Sequence, residues 1–239
     1  MQQITDNFSD PADHLALDEA LLLAADDGEI GECIRFWEFS APAVVAGRST
    51  RIADEINLPF CKTHAIPVLR RCSGGATVVG GPGCLMYSVV LSLDGDDSLR
   101  KIDIAHKFVM SRILAALQSQ VIETEWKGIC DLTWKNRKCS GNSLKISRKY
   151  LLYHGTILLG MDLDMMACAL QFAPRQPDYR AGRNHRDFVT NLPIDAIQFS
   201  EDVKTEFRVT GTADCECLKP RIGLLRQQRY DDPKWHFRH

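Results

Sequence analysis

Two short segments of the sequence combine fixed positive charge with glycine. The first is Arg70-Arg71-Cys72-Ser73-Gly74-Gly75, and the second is Lys138-Cys139-Ser140-Gly141-Asn142. Glycine lets the backbone approach a ligand closely, and free N–H groups in such a turn form an anion-binding concavity. Arginine adds a rigid fork that matches carboxylate or phosphate. Together the segments predict an acidic small molecule held against exposed backbone, with a lysine near its charged end.

Each segment taken separately is also compatible with a purely structural role. A Ser-Gly-Gly turn between two strands is typical of a hairpin, and an Arg-Arg pair usually has at least one member in solvent. The spacings G-x-x-x-x-G-K and G-x-G-x-x-G are absent, so neither segment is a phosphate loop or a dinucleotide fingerprint.

The composition excludes several classes of protein. The chain has 239 residues, 45% hydrophobic composition and a net charge of −2, so we expect one domain over residues 1–239 without a separate C-terminal accessory domain. The small net charge and the lack of a long apolar run argue against nucleic-acid and membrane partners. The nine cysteines are odd in number and irregularly spaced, which indicates reduced thiols in a cytoplasmic protein.

The hydrophobic pattern predicts an α+β fold, with helices around a central, mostly antiparallel or mixed sheet. Residues 13–25 are predicted as an amphipathic helix capped by Asp10 or Asp13. Further helices are predicted at 102–120, 161–172 and 222–230, whereas 203–208 fits a strand or a helix. Strands are predicted at 33–39, 43–46, 67–71, 76–79, 87–93, 131–134, 138–139 and 150–159.

Residues 174–192, PRQPDYRAGRNHRDFVTNL, form a segment of different character that we call the basic loop. It carries four arginines and His185 together with the aromatic residues Tyr179 and Phe188. Such a composition fits a solvated surface loop. It equally fits a loop that closes over a nucleotide or meets an acidic partner.

The two glycine-containing segments resemble the signatures of lipoate–protein ligases. Residues 70–88, RRCSGGATVVGGPGCLMYS, are similar to the arginine–glycine signature of that family. Residues 131–159, DLTWKNRKCSGNSLKISRKYLLYHGTILL, are similar to its Asp-Leu strand, Lys-x-Ser-Gly turn and His-Gly-Thr strand. Weaker matches at 15–21, 36–48 and 229–235 resemble the first helix, the first hairpin and the end of the catalytic domain. The resemblance covers almost the whole chain and implies a biotin/lipoate ligase-like fold of the class II synthetase type.

The resemblance implies an ATP-dependent reaction. Lipoate ligases join the lipoate carboxylate to the α-phosphate of ATP and then pass the acyl group from lipoyl-AMP to a lysine of a lipoyl-type acceptor domain. Because both steps develop negative charge on oxygens, fixed cations are the expected catalytic tools. The family pattern makes Lys138 the catalytic lysine, bridging the acyl carbonyl and the α-phosphate. The expected ligands are ATP, Mg²⁺ and lipoate or lipoyl-AMP, and the expected partner is the acceptor domain.

The same resemblance implies the other site residues. Those expected to contact the acyl substrate, with Arg70 as an alternative phosphate ligand, are Arg70, Ser73, Gly74, Gly75, Ala76 and His154. Those expected to contact the nucleotide are Val78, Val79, Asp131, Ser140 and Gly141. Asp131 is also the expected Mg²⁺ ligand. Without the resemblance, Lys138 would pass for an exposed turn lysine and His154 for a packed strand histidine.

The chain departs from the family pattern at four positions. Ala76 replaces the third glycine, Gly80 the expected histidine, Cys84 an expected asparagine, and Cys130 the asparagine before the motif aspartate. These changes concern the nucleotide and magnesium contacts more than the acyl site. The chain could therefore be a compact ligase, a ligase that needs a separate accessory subunit for adenylation, or a protein that only transfers acyl groups.

Three alternatives to a ligase remain open from the sequence. An octanoyltransferase of the same superfamily would use Cys130 as nucleophile without ATP, its thiolate activated by Lys138 or His154. The cysteine-to-lysine spacing of one transferase group and the Pro-x-Cys-Gly motif of another are not matched. A biotin ligase is disfavoured because the Gly-Arg-Gly-Arg-type loop is absent. The last alternative is a non-catalytic relative that binds an acyl ligand or a partner.

Overall fold

The structure is a computed structural model that describes residues 1–239. Its α-helices are α1 Pro11–Asp26, α2 Ile52–Glu55, α3 Leu58–Thr63, α4 Ile102–Gln118, α5 Leu163–Ala169, α6 His185–Phe188, α7 Ala196–Glu206, α8 Lys219–Leu225 and α9 Pro233–His236. A π-helical turn, Arg226–Tyr230, continues α8. None of the helices combines the length and the apolar composition needed to cross a lipid bilayer.

The strands form two sheets. They are β1 Gln2–Thr5, β2 Cys33–Trp37, β3 Ala43–Ala46, β4 Val68–Arg70, β5 Val78–Gly80, β6 Cys84–Ser92, β7 Glu125–Lys127, β8 Asp131–Trp134, β9 Arg137–Ile146, β10 Tyr150–Leu158 and β11 Gly211–Asp214. The large sheet has the order β11-β1-β2-β6-β10-β9-β8-β7 and is antiparallel except at β1, which runs parallel to both neighbours. The small sheet has the order β4-β3-β5. The predicted α+β class with a mixed sheet is confirmed.

Helix α1 is the central helix of the fold. Asp10 caps it by accepting from the Ala12 N–H at 2.9 Å, and Pro11 occupies its first turn. The predicted amphipathic helix is wrong in one respect, because thirteen of its sixteen residues are buried. The large sheet covers one side and α8 with the π-helical turn covers another. Asp18 and Glu19 are therefore buried in ionic networks instead of facing water.

Strand β6 lies in the middle of the large sheet and is buried on both faces. One face carries Tyr87, Val89 and Leu91, and these side chains pack with α4 and α7 in one hydrophobic core. The opposite face carries Met86 and Val90, which pack with α1 and the small sheet in a second core. Because a hydrophobic core covers each face of β6, neither face of the strand is exposed to solvent.

Three predicted local connections differ from the structure. Strands β2 and β3 belong to different sheets, so residues 36–48 are not a hairpin. Strands β4 and β5 both pair with β3 and not with each other, so the Ser-Gly-Gly turn is not a hairpin either. The predicted strand at 138–139 lies in β9, but Ser140 and Gly141 form no turn after it, because β9 continues to Ile146. The turn before β9 is made by Lys135 and Asn136, both with positive φ.

Residues 203–208, for which a strand or a helix was predicted, lie mainly in α7. This helix begins at Ala196, upstream of the predicted segment.

We expect Gly83→Ala to destabilise the fold by about 2 kcal/mol more than Gly28→Ala. Both glycines have a φ near +80°, so each alanine variant costs about 1–2 kcal/mol of left-handed strain. A Cβ at Gly83 would lie 2.3 Å from the Gly160 backbone, whereas one at Gly28 meets nothing within 4 Å. The overpacking of backbone adds roughly 1–3 kcal/mol. Urea unfolding of the two variants measures the difference, and equal stabilities would show that the contact between residues 83 and 160 is misplaced.

Candidate active site

A cavity of about 710 Å³ lies between the two sheets, and we call it the main cavity. The small sheet contributes Val45 and Val78, and the large sheet contributes Met86 and Thr156. One part of its wall is apolar, made by Leu15, Trp37, Phe39, Val45 and Met86. Another part is polar, made by Asp131, Lys138, Gly141, Asn142 and Thr156.

The sheet register explains this division. On the face toward α1, Trp37 of β2 lies beside Met86 of β6, and Met86 lies beside Thr156 of β10. The Gly141 N–H of β9 approaches the Thr156 hydroxyl at 3.4 Å, which continues the row. The wall therefore changes from apolar to polar across four neighbouring strands. A second row on the same face carries Arg35, Ser88, His154 and Ser143.

Lys138 and Asp131 form an ion pair at the polar part of the cavity. The Lys138 Nζ lies 2.7 Å from Asp131 Oδ1, and the Lys138 side chain is 29% exposed. The Tyr179 hydroxyl of the basic loop donates to Asp131 Oδ2 at 2.7 Å. Burial and the Asp131 carboxylate raise the pKa of Tyr179, so the phenol stays neutral and donates. The structure thus brings Lys138 and Asp131 together and adds Tyr179, which the sequence had singled out only as an aromatic of the loop.

His154 lines the main cavity, as expected, and belongs to a buried hydrogen-bonded chain. Its Nδ1 is 2.8 Å from Asp18 Oδ2, and its Nε2 is 2.5 Å from the Ser73 hydroxyl. Burial raises the pKa of Asp18, but the hydrogen bond from His154 and the charge of Arg35 together bring it below its usual value. Asp18 is therefore an anion. Sequence analysis assigned no role to Asp18, since its partners come from strands far away in the chain.

The structure does not bring Arg70 to the cavity, which corrects the expectation that it contacts acyl group or phosphate. Arg70 is fully buried. Its guanidinium donates to the carbonyls of Gly47 at 2.6 Å and Thr50 at 2.9 Å, and to those of the C-terminal residues Trp235 and His236. It joins strand β4 to two flanking segments.

Arg71 lines the main cavity in place of Arg70. Its NH2 donates to the carbonyls of Gly74 at 2.5 Å and Ala76 at 2.9 Å, and its NH1 donates to Val45 O at 3.1 Å. Burial lowers the pKa of Arg71 to about 10, so the side chain keeps its charge at neutral pH. Sequence analysis noted the Arg-Arg pair but could not tell which of the two arginines lines the cavity.

The other predicted residues divide between the main cavity, its surroundings and a second cavity. Residues 73–76, which we call the glycine turn, place Gly75 and Ala76 on the wall, while Ser73 is buried behind it. Gly74 is exposed and does not line the wall. An adjoining cavity of about 120 Å³ is lined by four of the predicted nucleotide residues: Val78, Val79, Ser140 and Gly141. Arg175, Arg180 and His185 of the basic loop line it as well.

Cys130 lines the main cavity, but its surroundings do not favour the thiolate form of its side chain. Burial and the neighbouring Asp131 raise the pKa of its thiol, and Lys138 and Arg71 only partly oppose this. The thiol donates to the Asn142 carbonyl at 3.0 Å. The expectation that Lys138 or His154 would produce a thiolate here is therefore not supported by the structure.

The departure at Gly80 has a structural explanation. A Cβ at Gly80 would lie 2.0 Å from the Met86 Cε and 2.8 Å from the Phe39 ring. The Met86 methyl and the Phe39 ring therefore leave no room for a side chain at position 80.

The comparison with protein families identifies the class of protein to which the chain belongs. The model of the lipoyl protein ligase A/B catalytic domain matches residues 10–207, so the chain belongs to this family. It is 28% identical to lipoate–protein ligase 1 of Staphylococcus aureus over 97% of this chain and 71% of the relative. It is 30% identical to the octanoyltransferase LipM of Oceanobacillus iheyensis over 83% of this chain and 79% of the relative. Both activities therefore occur among similar proteins.

Solved structures confirm the fold. A bipartite lipoate protein ligase of Thermoplasma acidophilum, studied with its E2 lipoyl domain, superposes with a TM-score of 0.81 at 18% identity, covering 99% of this chain and 95% of that one. A lipoate–protein ligase A bound with ATP gives a TM-score of 0.77 at 19% identity, covering 99% and 98%. The predicted lipoate ligase-like fold is confirmed.

We expect Gly75→Val to weaken lipoate binding by at least about 10-fold, or ~1.4 kcal/mol. Gly75 has a φ of +84°, and a Cβ there would lie 2.9 Å from the Arg71 guanidinium that holds the turn. A β-branched side chain resists this φ and displaces the guanidinium. Gly95→Val is the matched control, since Gly95 also has positive φ but open space around its Cβ. Calorimetry with lipoate measures the effect, and equal affinities of both variants would show that the glycine turn is only structural.

Proposed function

We propose that the protein activates lipoate with ATP to lipoyl-AMP and transfers the lipoyl group to a lysine of a lipoyl-type acceptor domain. The observation that carries the proposal is the main cavity, whose wall changes from apolar side chains to the Lys138–Asp131 ion pair. A fatty-acid-like substrate has the same polarity, with an apolar chain and one carboxylate. Cavities of this size can enclose a small ligand.

The polarity of the wall orients the substrate. The acyl chain would pack against Trp37, Phe39 and Met86, which removes its apolar surface from water. Its carboxylate would then point toward Lys138. Gly75 and Ala76 would lie along the chain, as their place on the wall allows.

Lys138 would act on the charge that develops during acyl activation. Attack of the carboxylate on the α-phosphate places negative charge on phosphoryl oxygens and on the leaving pyrophosphate. An ammonium group fixed by Asp131 at 2.7 Å is positioned before the reaction and needs little reorganisation. In the second step the same ammonium group would stabilise the oxyanion formed when the acceptor amine attacks the acyl carbonyl. The amine loses a proton to solvent water, and AMP leaves with the electron pair of the broken acyl–phosphate bond.

The adjoining cavity would take part of the nucleotide. Gly141 and Val78 belong to the walls of both cavities, so a molecule joined at the α-phosphate could occupy both. Arg175 and Arg180 supply positive charge there. A structural relative binds ATP, which supports this assignment.

Asp131 fits a Mg²⁺ ion that accompanies ATP. Mg²⁺ is commonly bound through one or two carboxylates plus substrate phosphates, and Asp131 offers one carboxylate at the wall. The structure contains no group of three or more protein ligands that would form a complete metal site. Asp131 would hold the ion beside the phosphates, where it would neutralise phosphate charge.

The basic loop would contact both the bound ligand and the acceptor domain. Its residues Arg175, Gln176, Pro177 and Tyr179 line the main cavity, so an acceptor domain reaching the acyl carbonyl must approach them. The bipartite relative was studied with an E2 lipoyl domain, which supports an acceptor of that type and leaves room for a separate accessory subunit. We also propose a cytoplasmic location, because all nine cysteines are free thiols.

The second candidate is an octanoyltransferase that works without ATP. The 30% identity to an octanoyltransferase LipM favours it. The raised pKa of Cys130 opposes it, because the thiolate and not the thiol is the nucleophile. A non-catalytic relative would keep the cavity and lack turnover.

A pyrophosphate-release assay with lipoate and ATP separates these three functions. The ligase predicts release that depends on both substrates and increases when an acceptor domain is added. Transfer from an octanoyl carrier without ATP would establish the transferase. Tight lipoate binding without either activity would establish the non-catalytic protein.

We expect Lys138→Ala to lower the rate of lipoyl-AMP formation by about 100- to 1000-fold, corresponding to ~3–4 kcal/mol of lost charge stabilisation. The side chain is partly exposed on β9, so its truncation leaves no large internal void and the fold should persist. Lys149→Ala, on the exposed turn between β9 and β10, serves as control. Single-turnover kinetics with circular dichroism measures both properties. A Lys138→Ala enzyme with wild-type rates would remove the lysine from the mechanism.

We expect Cys130→Ser to keep most of the ATP-dependent activity. The mixed anhydride needs no thioester, and a serine hydroxyl can still donate to the Asn142 carbonyl as the thiol does. A transferase would instead lose turnover, since a serine hydroxyl lacks the accessible anion of a thiol. Cys168→Ser, at an exposed cysteine, controls for unspecific effects. Loss of activity in the Cys130 variant alone would establish a nucleophilic role.

A further inference from the structure

The buried row beneath α1 contains a directed chain of hydrogen bonds. A carboxylate can only accept, so the 2.8 Å contact with Asp18 Oδ2 requires a proton on His154 Nδ1. In the neutral ring Nε2 is then an acceptor, and the Ser73 hydroxyl must donate to it across 2.5 Å. The Ser73 oxygen in turn accepts from the Arg71 Nε–H at 3.1 Å.

The chain ends on the glycine turn. The remaining donors of Arg71 bind the carbonyls of Gly74, Ala76 and Val45. The position of the turn therefore depends on the Arg71 guanidinium, and the guanidinium depends on a serine whose orientation the histidine sets.

We propose that Asp18, His154 and Ser73 form a positioning relay that holds Arg71 and, through it, the glycine turn in the conformation that receives the acyl substrate. The inference deepens the proposed function and rests on it for its kinetic readout. Asp18 and Ser73 are positioning residues, because neither needs to touch the reacting atoms.

The order Asp–His–Ser is also that of a nucleophilic triad, but the surroundings of Ser73 argue against nucleophilic attack. Ser73 is 1% exposed and lies behind the wall of the main cavity. One of its lone pairs is taken by the Arg71 Nε–H. An acyl carbonyl in the cavity would have to displace Arg71 before it could reach the serine oxygen.

Asp18 shows why the relay is rigid. Its other oxygen, Oδ1, accepts from Arg35 NH1 at 2.9 Å and from the Ser88 hydroxyl at 2.7 Å. With all three donors in place the carboxylate has little freedom to rotate. The tautomer of His154 is thereby fixed from strands β2 and β6, on the side away from the glycine turn.

The matched variants are Ser73→Ala and Thr124→Val. Each removes one buried hydroxyl, and both residues are 1% exposed. Only Ser73→Ala cuts the link to Arg71, because the Thr124 hydroxyl donates to the Val121 carbonyl and lines neither cavity. We expect Ser73→Ala to raise the KM for lipoate about 10-fold with little change in the KM for ATP, and Thr124→Val to leave both within about 2-fold.

Two measurements do not depend on turnover. Calorimetry should show the same loss of lipoate affinity in Ser73→Ala, and ¹⁵N NMR of the wild-type protein should show neutral His154 protonated on Nδ1. If wild type binds lipoate but releases no pyrophosphate, the proposed function fails while these two readouts still decide the relay.

Three results would overturn the relay. One is equal loss of lipoate affinity in Ser73→Ala and Thr124→Val, which would indicate a general stability effect. Another is a neutral His154 protonated on Nε2, which is incompatible with the direction of the chain. The third is a covalent acyl group on Ser73 after incubation with lipoate and ATP, which would make the serine a nucleophile.

Discussion

The carboxylate of Asp18 is buried between α1 and the large sheet, where a charge persists only when it is paired and fully hydrogen-bonded. Arg35, Ser88 and His154 meet this requirement, and they come from three neighbouring strands. One charged group on the helix thereby fixes the position of α1 over the centre of the sheet. Removing one partner would leave a buried charge without compensation, which is far more costly than losing a surface ion pair.

The cavity follows from this placement. Helix α1 contributes Leu15 and Asp18 to its wall, and the sheet below contributes a row that begins at Trp37 and ends near Lys138. Because strand neighbours in a sheet are held at fixed spacing by backbone hydrogen bonds, the apolar and cationic parts of the wall keep a constant separation. The glycine turn closes the cavity from the small sheet, held by Arg71. The substrate proposed above would thus be held largely by helix and sheet residues, and the basic loop would complete the wall.

The sequence predicted the parts of the site that lie within a few residues of each other. Gly75, Lys138 and Asp131 stand in recognisable local patterns, and the structure places all three on one wall. Prediction from the sequence failed where the position of a side chain depends on distant chain segments. Arg70 and Arg71 are adjacent and chemically identical. Only the packing of residues 47–50 and the C-terminal segment around Arg70 decides that Arg71, and not Arg70, lines the cavity.

The wrong prediction of an amphipathic first helix has the same origin. Helix α1 was predicted with one polar face, but tertiary packing buries almost all of it. Asp18 looked like a solvent-facing residue of an amphipathic helix for that reason. Its role depends on Arg35 and His154, which lie 17 and 136 residues away along the chain, and no local pattern reports such a separation.

Native mass spectrometry of the enzyme mixed with lipoate and ATP, in the absence of an acceptor, tests the central claim most directly. The account predicts a noncovalent complex whose added mass equals lipoyl-AMP and which dissociates on denaturation, leaving an unmodified polypeptide. A lipoyl group that stays attached to the denatured chain at Cys130 would contradict it, because the acyl group would then travel as a thioester. A spectrum that shows lipoate and ATP bound without any adenylate would contradict the proposed activation step.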